Sequence, residues 1–179
     1  RQTDIPGDGK LNSVGADSET DSWAVGNMGW PTLTVQWDGE QWSVVPSPNS
    51  GPQANILNAV GGSTSNDVWA VGYDYSGQMG NNRTLILHWD GTQWTIAQSP
   101  NVGTGDNYLN GVTVVTSSDV WAVGSYYRNG AGFTTLSAHW AGSTCTVAPS
   151  PIPAPPNVLA GVACAACRAG RRATEASPC

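Results

Sequence analysis

Apolar and turn-forming residues alternate along this chain in short bursts. The segments Ile56 to Gly61, Val68 to Tyr73, Thr84 to Trp89 and Gln93 to Gln98 are rich in Val, Ile, Leu, Trp and Thr. These residue types fit a pleated, half-buried surface, and the segments have the usual length of a β-strand. Turn chemistry separates them. Ser63-Thr64-Ser65-Asn66-Asp67 is a turn cluster, and Asp90-Gly91-Thr92 reads as a short hairpin connection in which Gly supplies a positive φ. Ser99-Pro100-Asn101 stops the fourth segment, since Pro cannot donate to a ladder. In the third segment Leu85, Leu87 and Trp89 share one face and Ile86 and His88 the other; in the second, Trp69 and Val71 oppose Val68 and Ala70. Both faces are largely apolar, whereas a lone antiparallel sheet leaves one face polar. The pattern therefore predicts strands covered on both sides.

The same pattern occurs three times. Copies open at Leu11-Asn12-Ser13-Val14, Leu57-Asn58-Ala59-Val60 and Leu109-Asn110-Gly111-Val112. Each continues with Asp-x-Trp-Ala-Val-Gly (Asp21 to Gly26, Asp67 to Gly72, Asp119 to Gly124), then Thr-Leu-x-x-x-Trp ending at Trp37, Trp89 and Trp140. Asp38-Gly39 and Asp90-Gly91 follow, then Trp42 and Trp94, then Ser47-Pro48-Asn49 and Ser99-Pro100-Asn101. The Leu-to-Leu steps are 46 and 52 residues, with a further step of 50 to Leu159. Four antiparallel strands in a repeat of about 50 residues is the pattern of a β-propeller blade. The expected fold is all-β: a lead-in over 1–10, four-stranded blades over 11–56, 57–108 and 109–158, and an incomplete fourth over 159–179.

These motifs resemble the Trp-rich bacterial β-propeller repeats of the form D-V-W-A-V-G…H-W-D-G-x-x-W, found mainly in secreted or surface proteins. The resemblance covers about residues 11 to 150. It is partial to WD40 repeats, with Trp89-Asp90 at the end of the third strand but no Gly-His signature, and partial to kelch repeats, without their double Gly. A looser similarity runs to propeller lectins with W-D-G-x-x-W segments. The resemblance implies the fold and an extracellular or cell-surface location; propellers host many functions.

Charged residues make up 11% of the chain, with seven Lys and Arg against thirteen Asp and Glu. That balance argues against a nucleic-acid partner, which needs a cationic surface. No apolar run is long enough to span a membrane, and no signal-peptide pattern opens the chain.

The third copy decays as it proceeds. Ala141 stands in place of Asp90, Cys145 in place of Trp94, and Ser150-Pro151-Ile152 in place of Ser-Pro-Asn. A fourth copy starts at Leu159-Ala160-Gly161-Val162, but Arg171 falls where its Trp belongs. All four Cys and three of the seven basic residues lie between Cys145 and Cys179. This break reads as a reading-frame slip or damaged gene end rather than a true extension. The chain is then expected to be a fragment of about three and a half blades, with a loosely held tail from about Ala163 and with apolar blade faces exposed for self-association.

Chemistry-bearing residues are few. Cys164-x-x-Cys167 lacks the further ligands of a zinc site and the βαβ context of a redox pair, so no metal or cofactor is expected. His88 and His139 share one strand position, taken by Gln36 in the first copy, which suits hydrogen bonding between strands rather than a converging ligand set. Asp21, Asp67 and Asp119 read as Asx-type turns at strand entry. Trp23, Trp69 and Trp121, with Trp37, Trp89 and Trp140, read as core or inter-blade packing. No Ser or Cys has a base-and-orienter arrangement, so no catalytic residue is assigned.

The loops between second and third strands vary in length and are the candidate binding surface. They carry Trp30; Tyr73, Tyr75, Asn81, Asn82 and Arg83; and Tyr126, Tyr127, Arg128 and Asn129. Rings cover apolar faces and amides bond hydroxyls, which suits glycans or protein surfaces. The leading expectation is a non-enzymatic binding propeller. The alternatives are a structural or adhesin array with no small ligand, and a fragment of a propeller enzyme whose catalytic residues lie in other blades.

Overall fold

The computed structural model describes residues 8–75, 80–149 and 159–162. Twelve strands form three antiparallel sheets, each meandering in chain order. The first holds β1 (Gly9–Ser18), β2 (Asp21–Met28), β3 (Thr32–Trp37) and β4 (Trp42–Val44). The second holds β5 (Asn55–Thr64), β6 (Asp67–Tyr75), β7 (Asn82–Trp89) and β8 (Trp94–Ile96). The third holds β9 (Asn107–Thr116), β10 (Asp119–Arg128), β11 (Gly132–Trp140) and β12 (Cys145–Val147). The expected fourth strand of each repeat is there but short. The β3–β4 turn and its counterparts place Gly39, Gly91 and Gly142 at φ 97°, 93° and 85°, the left-handed region that Gly enters without penalty.

The sheets stack face to face as the parity predicts. Val68, Ala70, Leu85, Leu87 and Trp89 turn toward the first sheet and bury with Trp23 and Val25. Trp69, Val71 and Ile86 turn the other way, into a core with Val120, Ala122, Leu136 and Ala138. In the first two blades the second-strand indole packs against the third-strand indole of the next sheet: Trp23 lies 4.9 Å from Trp89, and Trp69 lies 5.1 Å from Trp140, between ring centroids. Trp23 also meets Trp94 edge-on at 5.0 Å. Stacked four-stranded antiparallel sheets of this kind are the blades of a β-propeller.

The repeated Leu-Asn motif explains the spacing between blades. The pairing of first and second strands skips Asn12, Asn58 and Asn110, each left unpaired between a Leu and the residue after the Asn. A bulge of this kind frees one residue from the ladder and re-aims its side chain. Asn12 Nδ2 donates to the Leu57 carbonyl at 2.8 Å, Asn58 Nδ2 to that of Leu109 at 2.8 Å, and Asn110 Nδ2 to that of Leu159 at 3.1 Å. Leu159 thus occupies the position that a following blade's first strand would take. The repeated Gly faces the bulge. A Cβ on Gly26, Gly72 or Gly124 would stand 1.8, 1.9 or 2.0 Å from the backbone oxygen of Lys10, Ile56 or Tyr108.

The outer flanks are less open than the sequence suggests. On the first blade Leu11 and Val14 are exposed, whereas Leu57 and Leu109 are fully buried. Ala24, Leu33 and Val35 on the same blade are nonetheless buried, with Trp42 packed against them. On the third blade Trp121 is half-buried while Val123 is buried. The expected loose tail, with Cys164, Cys167 and Arg171, lies outside the described residues.

Candidate binding cleft on the loop rim

Each blade is pinned internally by polar side chains. Asp67 Oδ1 accepts from Trp69 Nε1 at 2.9 Å and pairs with His88 Nε2 at 2.8 Å, while Asp67 Oδ2 accepts from Ser63 Oγ at 2.6 Å. Burial pushes the Asp67 pKa up, but hydrogen bonds from Ser63, His88 and Trp69 outweigh it and hold the carboxyl below its usual range. The third blade repeats the arrangement, with Asp119 Oδ1 2.9 Å from Trp121 Nε1 and 2.8 Å from His139 Nε2. Each His ring stacks on the Trp of its own triad, at 4.3 Å and 4.2 Å. In the first blade Gln36 Nε2 donates to Asp21 Oδ1 at 3.1 Å. The Asp residues are therefore cross-strand acceptors rather than Asx turns. In the second and third blades the indole two residues on and the imidazole on the third strand both reach the same carboxylate, and in the first the Gln36 amide does so alone.

The connections between blades are equally constrained. Asn49 and Asn101 of the Ser-Pro-Asn motifs accept from the backbone N–H of Thr32 and Thr84 at 2.8 and 2.9 Å. Buried Asn55 accepts from Ser50 N–H, and buried Asn107 from Val102 N–H, both at 2.9 Å. Asn107 Nδ2 also donates to the Gly105 carbonyl at 2.8 Å. These amides satisfy loop backbone that would otherwise be stranded against the core. The result is a firm rim onto which the loops between second and third strands close.

At the junction of the second and third blades that closure makes a cleft. Asn82 donates to Asp106 Oδ1 through its backbone N–H at 2.7 Å and its side chain at 3.2 Å, and its side chain also reaches Tyr108 Oη at 2.7 Å. Asn81 Nδ2 donates to the Thr104 carbonyl, and Tyr127 N–H donates to the Asp106 carbonyl at 2.7 Å. Gly105 sits under Tyr127 so closely that a Cβ would lie 2.7 Å from the Tyr127 carbonyl oxygen. Tyr73, Tyr108, Phe133 and Tyr127 form a row of rings, with successive centroids 4.8, 5.9 and 5.5 Å apart. Burial raises the Tyr73 and Tyr108 pKa values, and the Asp106 charge adds to the rise at Tyr108.

Two cavities open at the Tyr127–Phe133 end of this row. One of about 290 Å³ is bordered by Val102, Gly103, Tyr126 and Arg128; the other, of about 410 Å³, by Asn81, Asp106 and Phe133. Thr104, Gly105, Tyr127 and Asn129 border both.

The structure thus brings Asn81, Asn82, Tyr73, Tyr126, Tyr127, Arg128 and Asn129 to one junction. Trp30, Tyr75 and Arg83 lie elsewhere. Trp30 is 62% exposed, and its carbonyl accepts from Asn55 N–H at the junction of the first and second blades. Tyr75 N–H donates to the Ala54 carbonyl at that same junction. Arg83 is paired in register with Asp74, whose pKa is raised by burial despite the nearby Arg83 charge. Asp106, Tyr108, Thr104 and Phe133 are the cleft residues that loop reading missed. Tyr108 and Asp106 precede a Leu-Asn motif and so read as strand and linker, although a tyrosine beside the bulge is a signal once the bulge is known.

Among the described residues no cluster of three or more His, Cys, Asp or Glu is placed to hold a metal ion, and no helix is long and apolar enough to cross a membrane. No protein family model matches the chain, and no curated protein sequence matches it. By structure it is similar to YCF48 bound to D1 peptide, with 15% sequence identity and a TM-score of 0.50. The likeness covers 80% of this chain and 42% of that one, so the chain spans less than half the length of that protein. The fold is that of consecutive β-propeller blades.

Proposed function

We propose that this chain is a non-enzymatic recognition module, acting outside a cell or on its surface, that binds a polypeptide segment in the cleft between its second and third blades. The carrying observation is the pair of adjoining cavities walled by Tyr127, which borders both, with Phe133 in one and Tyr126 in the other, edged by Asn81, Asn129 and Arg128 and continued behind Phe133 by the rings of Tyr108 and Tyr73. Successive rings are inclined at 80°, 51° and 70°, so they offer edges and gaps rather than one flat platform. Stacking of a sugar ring calls for a flat exposed face; gaps between inclined rings suit peptide side chains. The similar propeller YCF48 is described as bound to a peptide, which agrees with this choice.

The test is a pair of arrays, one of peptides and one of glycans, screened with the wild-type chain and with Tyr126→Ala and Tyr127→Ala. Peptide hits that both variants lose support the reading. Glycan hits alone, or peptide hits indifferent to both substitutions, overturn it.

Head-to-tail self-association is a second reading. The Trp37–Trp42 pair, at 5.7 Å and 48°, repeats the geometry of the Trp89–Trp94 pair, at 5.8 Å and 48°, against which Trp23 packs. The half-buried Trp121 is the matching indole on the opposite flank. Light scattering over a concentration series should show dimers that Trp121→Ala abolishes; a monomer at every concentration refutes it.

A further inference from the structure

We infer that the larger rim cavity is a pocket for a basic side chain, so that the polypeptide recognised presents a lysine or arginine to it. This rests on the proposed recognition at the rim and deepens it. The cavity of about 410 Å³ is bordered on one side by Asp106 and on another by Tyr127 and Phe133. Asp106 Oδ1 is occupied by both donors of Asn82, which fixes the carboxylate in place. Among the described residues none donates a hydrogen bond to its second oxygen, and the residue is half-buried at the cavity wall. A carboxylate held by neutral donors keeps its charge for a ligand, and a charge-assisted hydrogen bond to it is stronger than a neutral one.

The rings supply the second half of the pocket. Tyr127 and Phe133 meet at 5.5 Å and 70°, forming two sides of a corner. Aromatic faces attract ammonium and guanidinium groups electrostatically and cover the apolar stem of a Lys or Arg at the same time. The basic groups nearby do not oppose this. Arg83 lies in register with Asp74 on the far side of the second blade, and Arg128 borders the smaller cavity and not the larger one. The net charge of −6 adds a weak general attraction for a cationic partner.

The experiment uses Nα-acetyl-lysine N-methylamide as probe, with its Nε-acetylated form as the uncharged control of nearly the same shape. Backbone amide shifts of the whole chain are followed by NMR during titration. Saturable shifts are expected at Thr104, Gly105, Asp106 and Tyr127 with the charged probe, and about tenfold weaker binding or none with the control. Asp106→Asn retains an oxygen for the Asn82 donors and so preserves the loop, yet should weaken the charged probe about tenfold. Tyr127→Leu, which removes no side-chain hydrogen bond seen in the structure, should weaken it as well. Equal binding of the two probes, indifference to Asp106→Asn, or shifts confined to other parts of the chain would overturn the inference. The arrays separate the two levels: peptide hits lost in Tyr127→Ala but kept in Asp106→Asn leave recognition standing and remove the cation pocket.

Discussion

Replacing Trp69 with Ala should be among the most damaging single changes in the chain. Trp69 is 2% exposed, and it serves two layers at once. Its ring packs against Trp140 of the next blade at 5.1 Å and under His88 of its own at 4.3 Å. Its indole N–H also supplies one of the three donors on Asp67. Truncating a buried Trp to Ala costs about 3–5 kcal/mol, and the abandoned carboxylate lone pair adds to the upper end of that range. The equivalent Trp121 keeps its bond to Asp119 and its stacking on His139 but is only half-buried. Its truncation should cost roughly half as much, since the transfer and cavity terms scale with buried surface. Urea unfolding followed by far-ultraviolet circular dichroism measures both without relying on Trp fluorescence. With a slope of about 2 kcal/mol per molar, the Trp69 midpoint should fall by roughly 1.5–2.5 M and the Trp121 midpoint by about half of that. Equal shifts for the two variants, or an unmoved Trp69 midpoint, would refute the stacking of blade on blade that the argument uses.

Three further outcomes follow from the same geometry. Gly72→Ala should lower the melting temperature by several degrees, corresponding to about 1–3 kcal/mol or more, because its Cβ meets backbone oxygen at 1.9 Å; Gly51→Ala, with open space around it, is the control that should change little. The Asp67 carboxyl is held below the ordinary aspartate value of 3.8 when folded, so its contribution is present above that pH and lost as pH falls through the lower folded value; an acid titration of stability should be shallower in Asp67→Asn than in the wild type. Burial pushes the Cys145 thiol up to about 11, so iodoacetamide at pH 8 should leave Cys145 unmodified in the native protein and label it in concentrated urea, as read by peptide mass mapping.

The strands were legible because period-two alternation and turn residues act locally, and the threefold recurrence multiplied each weak signal. Face parity likewise predicted that Val68 and Trp69 would bury in different cores, which they do. What the Leu-Asn pair accomplishes was not legible. Asn58 lies inside the strand segment Ile56 to Gly61 and shows no special role until the pairing places it in a bulge from which it reaches the following blade. The Asp in Asp-x-Trp is obscure for the same reason: Asp67 and Asp119 bond an indole two residues on and an imidazole about twenty residues away, Asp21 bonds the Gln36 amide, and the contact with the third strand exists only after the strands have paired. In the cleft, loop composition points to Tyr126, Tyr127 and Asn129, but Phe133 and Asp106 join Tyr127 only through the pairing of β10 with β11 and β9, and the contact from Asn82 to Asp106 exists only across the blade junction. Trp30 was singled out for its ring, yet nothing about a ring in a loop says which junction the loop will border.

The Asn–Leu tie gives the array a direction. Every blade carries the donor and its successor supplies the carbonyl, so a blade can be complete in itself before the next one exists. A chain that emerges from its amino end would therefore present a finished docking edge to each new repeat as it appears, and the incoming first strand would be set in register by a neighbour that is already folded. Construction would then run from the amino end, each new blade docking on a neighbour already in place. Lengthening such a protein is then a matter of duplicating a stretch of gene, since the edge that receives the next blade is the same edge that received the last.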